Sequence, residues 1–127
     1  MKKLFFLLFL GLAACESSEP VKSNDIVGTW EWVSTTGGFA GVNEKPGEGE
    51  KVLLTFNRDL SYKKMHNDSL LSEGKYTLSK GTSYLQNKVV DFVQIGQGVE
   101  TYYEIKGDQL YMYEDVNDGF NYTYKKN

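Results

Sequence analysis

One cysteine, one histidine and two prolines among 127 residues exclude several familiar kinds of site. Cys15 is the sole cysteine and has no intramolecular partner, so no internal disulfide staples the fold. His66 alone falls short of a typical zinc site, and no cysteine or serine stands beside it in a recognisable nucleophile motif. It reads as an exposed or turn-edge residue, and no enzymatic activity is expected. Basic residues, 14 against 17 acidic, form no run interleaved with aromatics, which leaves binding to nucleic acid or anionic lipid headgroups without electrostatic support. Helical periodicity is missing too: no segment long enough for a helix carries an apolar stripe at helical spacing.

What is present begins at Met1. Lys2 and Lys3 form a positive n-region, and an apolar run from Leu4 to Leu12 is interrupted only by Gly11. The run is too short to span a bilayer, which takes about 20 apolar residues. It stops at Ala13-Ala14-Cys15, and Glu16-Ser17-Ser18-Glu19-Pro20 is wholly polar. These small residues before a cysteine resemble the lipobox of bacterial lipoproteins, in which the thiol is diacylglycerated and the peptide is cut before it. The resemblance implies that Cys15 carries palmitate-type acyl chains and is the first mature residue. It also implies a cell-envelope protein whose membrane partner is reached through the anchor, with the outer membrane as its expected site. The expected organisation is a signal peptide over 1–14, a lipidated cysteine and polar tether over 15–25, and one domain over 26–127. Removing Lys2 and Lys3 from the 14 basic residues leaves 12 against 17 acidic, a formal −5.

From Ile26 onward the periodicity is two. Short alternating runs separated by Gly, Asn and Asp clusters predict eight strands, at 27–35, 51–57, 60–66, 70–79, 88–95, 99–106, 109–114 and 120–126. Arg58-Asp59, Asn67-Asp68-Ser69, the neighbourhood of Gly81, Gly96-Gln97-Gly98, Gly107-Asp108 and Asn117-Asp118-Gly119 supply the turns. Connections this short force antiparallel neighbours. The exception is the stretch 36–50, rich in glycine and carrying Phe39, whose length suggests a lid or binding loop.

Parity assigns an interior face to Trp30 and Trp32, to Val52, Leu54 and Phe56, to Tyr76 and Leu78, to Tyr103 and Ile105, and to Leu110 and Met112. Phe120, Tyr122 and Tyr124 share a face of the last strand, either interior or a patch of tyrosines with their hydroxyls at the rim. The third and fifth strands are ambiguous. If Tyr62 points inward, so do Lys64 and His66, which demands a bulge, a polar lining or an open mouth. Asp91 either faces outward or lies inside, where it needs a partner. Glu114, Asp115 and Asp118 approach a calcium-loop composition, but Val116 stands where an oxygen ligand is required, so a turn is expected and no metal or cofactor.

Eight antiparallel strands with one apolar face close into an up-and-down barrel or split into a sandwich. Ile26-Val27-Gly28-Thr29-Trp30 resembles the G-x-W signature on the first strand of lipocalins. The stretches 54–62, 74–78, 110–113 and 120–125 are similar to the lipocalin-like lipoproteins of Bacteroidetes. That resemblance implies an all-β, eight-stranded antiparallel up-and-down β-barrel, with Trp30 closing its base under a cation from Lys125 or its neighbour Lys126. Members commonly carry Asp-Gly in the second hairpin turn, where this chain has Asp59-Leu60.

The function implied is binding of a small apolar or amphipathic molecule in the barrel mouth. Phe39 is the expected gate over a pocket lined by Leu54, Phe56, Tyr103 and Met112. The alternative is a solid barrel acting through its outer surface, as an inhibitor or an assembly partner of another envelope protein, with Tyr102, Tyr111 and Tyr113 at the interface. An apolar cavity discriminates the two.

Overall fold

A strand that buries one face shows alternating exposure, and Val52–Phe56 does so: Val52, Leu54 and Phe56 are buried while Leu53 and Thr55 are half-buried. The computed structural model describes residues 26–127, so the signal segment, Cys15 and the tether lie outside the described residues. Nine strands follow in order: β1 (Gly28–Gly37), β2 (Val42–Glu44), β3 (Val52–Phe56), β4 (Ser61–His66), β5 (Ser69–Thr82), β6 (Val89–Ile95), β7 (Thr101–Lys106), β8 (Gln109–Glu114) and β9 (Phe120–Lys126).

From β3 to β9 each strand pairs antiparallel with the next, and β1 joins the two ends. Its first residues, Gly28–Glu31, pair with β3, and from Trp30 to Gly37 it pairs with β9, with a bulge between Trp32 and Ser34. The result is a closed eight-stranded antiparallel barrel, consistent with a lipocalin-like fold. The short β2 lies beside the far end of β1, where β3 no longer reaches. Residues 26–127 thus complete the barrel and its core between them.

Two turns depart from expectation. Gly81 lies inside β5, opposite Val90, because β5 serves β4 with its first half and β6 with its second. A side chain at Gly81 would press on the Phe92 ring, 3.3 Å from the position of a β-carbon. The stretch 36–50 is largely the β1–β2 hairpin, with Gly37, Gly38 and Gly41 all at positive φ. Leu60 sits at φ +65°, the conformation a glycine in the Asp-Gly turn would adopt freely and a leucine adopts at a steric cost.

The barrel base explains the G-x-W pattern. Gly28 has φ +139°, closed to most side chains, and the Lys126 stem crosses it, with Cε 3.7 Å from where a β-carbon would stand. Trp30 is 1% exposed and its indole N–H donates to the Ile26 carbonyl at 2.8 Å. Lys126 Nζ stands 5.4 Å from the Trp30 ring centre. Lys125 does not fill this place: it pairs with Glu31 across the ladder, so parity sends it to the opposite face, 3.9 Å from the Glu31 carboxylate. Around Trp30 the core gathers Ile26, Leu54, Phe56, Tyr76, Val93, Tyr103, Leu110, Met112 and Tyr124. Trp32, Leu78 and Ile105 pack against it part-buried, as parity requires.

Truncating Trp30 to alanine removes the largest buried side chain and is expected to cost about 3–5 kcal/mol, whereas Glu31→Ala, on the outer face, costs under about 1 kcal/mol. Guanidinium unfolding midpoints of the two variants check the assignment of faces.

Candidate functional site

Large rings fill only part of the interior. Phe56 meets Tyr76 edge-on, with centroids 4.9 Å apart, and the Tyr76 hydroxyl donates to the Asn57 carbonyl at 2.7 Å. Beyond them, towards the end of the barrel opposite Lys126, a cavity of about 320 Å³ remains. Its wall comprises Leu54 from β3, Tyr62 and Lys64 from β4, Ser72 from β5, Ile95 from β6 and Thr101 from β7. Met112 and Glu114 from β8 and Tyr122 and Tyr124 from β9 complete it, with Gly98 and Val99 of the β6–β7 turn. A second hollow of about 140 Å³, lined by Trp32, Thr35, Val52 and Leu71, shares Lys64, Tyr122 and Tyr124 with the first.

The ambiguity of the third predicted strand, β4, resolves here. Tyr62, Lys64 and His66 pair with Phe56, Leu54 and Val52, all inward-facing, and the chain accommodates this with a polar lining and a register shift at Lys64/Met65. Lys64 is thereby aimed at the cavity. Burial pulls its ammonium below the ordinary lysine value, and among the described residues no hydrogen bond or ion pair reaches it. Glu114, across the cavity, accepts from the Tyr122 hydroxyl and the Phe120 amide, both at 3.4 Å. Burial first, and the Glu114 charge second, push the Tyr122 hydroxyl up to about 12; Tyr124 is raised too, chiefly by burial.

Of the four pocket residues expected from sequence, Leu54 and Met112 line the cavity, while Phe56 and Tyr103 belong to the packed core beside it. Phe39 is no gate in this structure. It stands at the tip of the β1–β2 hairpin, 95% exposed, because three positive-φ glycines turn the chain back tightly and leave its ring in solvent. Tyr62, Lys64, Ser72, Glu114, Tyr122 and Tyr124 also line the cavity without being among the pocket residues expected from sequence, although parity left Tyr62, Lys64, Tyr122 and Tyr124 open to the interior. For Tyr62 and Lys64 the signal was the parity of β4; for the others it was parity at polar or half-polar positions that an apolar criterion passes over.

The remaining candidates resolve as structure. Asp91 lies on the inner face, opposite Tyr103 on β7, and has Lys80 3.3 Å away on β5. His66 ends β4, 4.0 Å from Glu50. Asp115 accepts from Ser83 Oγ at 2.6 Å and from the amides of Tyr84 at 2.7 Å and Leu85 at 3.1 Å. Desolvation alone would raise its carboxyl; these three donors outweigh it and hold the group below its ordinary value. Among the described residues no three His, Cys, Asp or Glu side chains gather as a metal site would require.

On the outer face Tyr102 stacks on Tyr113, with centroids 4.8 Å apart and planes at 22°, and Gln86 hydrogen-bonds its hydroxyl. Tyr102 is therefore buried, although it points away from the barrel. Compared with known proteins, the chain matches no family model, no curated protein and no solved structure.

Replacing Lys64 with methionine removes an unpaired, partly desolvated charge and is expected to raise stability at neutral pH by up to about 1 kcal/mol. Because the folded-state pKa of Lys64 is depressed, the wild type regains stability as pH rises through that value towards 10.5, so the gap between the two proteins narrows there. Urea unfolding of both proteins across a pH series checks the sign. Taking the difference cancels the tyrosines, whose raised values act in the opposite direction.

Proposed function

We propose that this chain is a lipid-anchored lipoprotein of the cell envelope, placed in the outer membrane, whose lipocalin-like barrel binds a small amphipathic molecule without chemical turnover. The observation that carries the reading is the cavity of about 320 Å³, at the lower end of the range for ligand sites, with Leu54 and Met112 on its apolar wall and polar groups at fixed points. Leu71 and Val99, both about half exposed, add apolar surface on the walls of the two hollows, where a ligand of this kind would pass from water into the barrel.

The interaction-module reading keeps Tyr102 and Tyr113, which line a shallow cleft on the outer surface, and adds residues the sequence did not suggest. Tyr102 and Tyr113 are engaged with each other, while Phe39, Tyr84, Leu85 and Val116 are exposed, and the last two border the same cleft with Gly37 and Gly38. Those side chains offer a partner protein a contact surface.

Two experiments bear on the two halves of the proposal. Nile red is expected to bind the soluble mature-length chain saturably. Met112→Trp, which fills the cavity at an overpacking cost of about 1–3 kcal/mol, should abolish that binding while the protein stays folded. Unchanged binding would reject the cavity as the site. Separately, Cys15→Ser is expected to remove fatty-acid labelling and to release mature-sized protein from the membrane fraction. Equal labelling of both proteins would reject the anchor.

A further inference from the structure

The charges on the cavity wall are unequally provided for. Glu114 has two donors, the Tyr122 hydroxyl and the Phe120 amide. Among the described residues no acceptor or anion meets the Lys64 ammonium, and Lys64 stands where the larger and smaller hollows meet, so one group bound there touches both. Its ladder partners are Leu54 on β3 and Ser72 on β5, neither of which neutralises a cation. Partly desolvating an ammonium beside apolar groups without an anion opposes folding, and substitution by an apolar residue of similar length would relieve it. A positive group in this position gives an anion a local attraction that opposes the general field of the mature chain, which carries a formal −5.

We infer that Lys64 is the anchoring cation for an acidic head group, so that the ligand is a small anionic amphiphile of the monocarboxylate type. The inference rests on the barrel-cavity reading and narrows it. The apolar tail lies along Leu54, Met112 and Ile95, and the carboxylate meets Lys64 at the junction of the two hollows. Glu114 lies on the wall as well, and its charge disfavours a second acidic group on the same ligand, which limits the head to a single negative charge.

The test compares octanoate with octanamide, which share a tail and differ in head-group charge. Each displaces Nile red from the mature-length chain from residue 15, made soluble by Cys15→Ser. The expected result is that octanoate binds about ten- to hundredfold more tightly than octanamide, the increment of a charge-assisted hydrogen bond. Lys64→Gln and Lys64→Met should bring the octanoate-to-octanamide affinity ratio close to one, a readout that holds whatever each variant does to octanamide binding itself. Lys64→Arg should retain the preference, and thermal unfolding confirms that each variant is folded. Equal binding of the two compounds by the wild type, or a preference that survives Lys64→Gln and Lys64→Met, overturns the cation anchor and leaves the cavity reading standing. Loss of the preference in Lys64→Arg alongside the other variants would assign the effect to shape and overturn it too. Absence of saturable Nile red binding removes the cavity reading and this inference together.

Discussion

The closure of β1 onto β9 is the constraint on which the rest depends. Without it the sheet running from β3 to β9 would present two unpaired edges and a half-exposed inner face. With it every strand from β3 to β9 has a partner on both sides. The register of that closure places Trp30 opposite Lys126, with Leu54 on its other side, and so decides which residues meet at the base. A shift of one residue would exchange Lys126 for Lys125 and turn the indole outward. Gly28 makes the geometry possible, since its positive φ starts β1 at an angle that other residues adopt only with strain.

Given closure, the filling of the barrel follows from side-chain volume. An eight-stranded barrel is wide enough either to be packed solid or to hold one small molecule. Here Trp30, Phe56, Tyr76 and Leu110 occupy one part completely. The rest is bordered by Lys64, Thr101, Glu114 and tyrosine hydroxyls, groups that do not pack against one another as aliphatic side chains do, and a hollow remains. The polar lining and the cavity are therefore one fact. A charged residue that faces inward without a partner opposes folding, and among the described residues Lys64 lines the hollow with neither a hydrogen bond nor an ion pair.

The outer surface has its own organisation. Phe92 and Tyr102 are cross-strand neighbours, as are Tyr102 and Tyr113, and the turn at 83–88 carries Gln86 to the Tyr102 hydroxyl. Asp115 clasps the start of that turn through three hydrogen bonds from residues some thirty positions earlier in the chain. Burial of Tyr102 outside the barrel is the consequence. Aromatic side chains that alternation alone would leave in water are part of a second, smaller packed cluster, and apolar exposure moves to Phe39, Tyr84, Leu85 and Val116.

Local pattern determined a great deal of this protein. Period-two alternation located eight of the nine strands to within a few residues, and the same alternation named Trp30, Leu54, Phe56, Tyr76, Leu110 and Met112 as interior, because in a strand one face is fixed once one residue is. Parity even forced the question of Lys64, although it left three answers open. What alternation does not encode is depth and distance. Phe56 and Met112 have the same inward parity, yet one is locked against Tyr76 and the other borders a void. Lys125 and Lys126 were equivalent until the β1–β9 register chose between them. The tip of the β1–β2 hairpin looked long enough to be a lid, and only its folded course shows Phe39 in solvent. Each of these was decided by residues far apart in sequence that meet once the barrel has closed, which is why one strand pattern fixed the fold class while tertiary packing alone fixed the site.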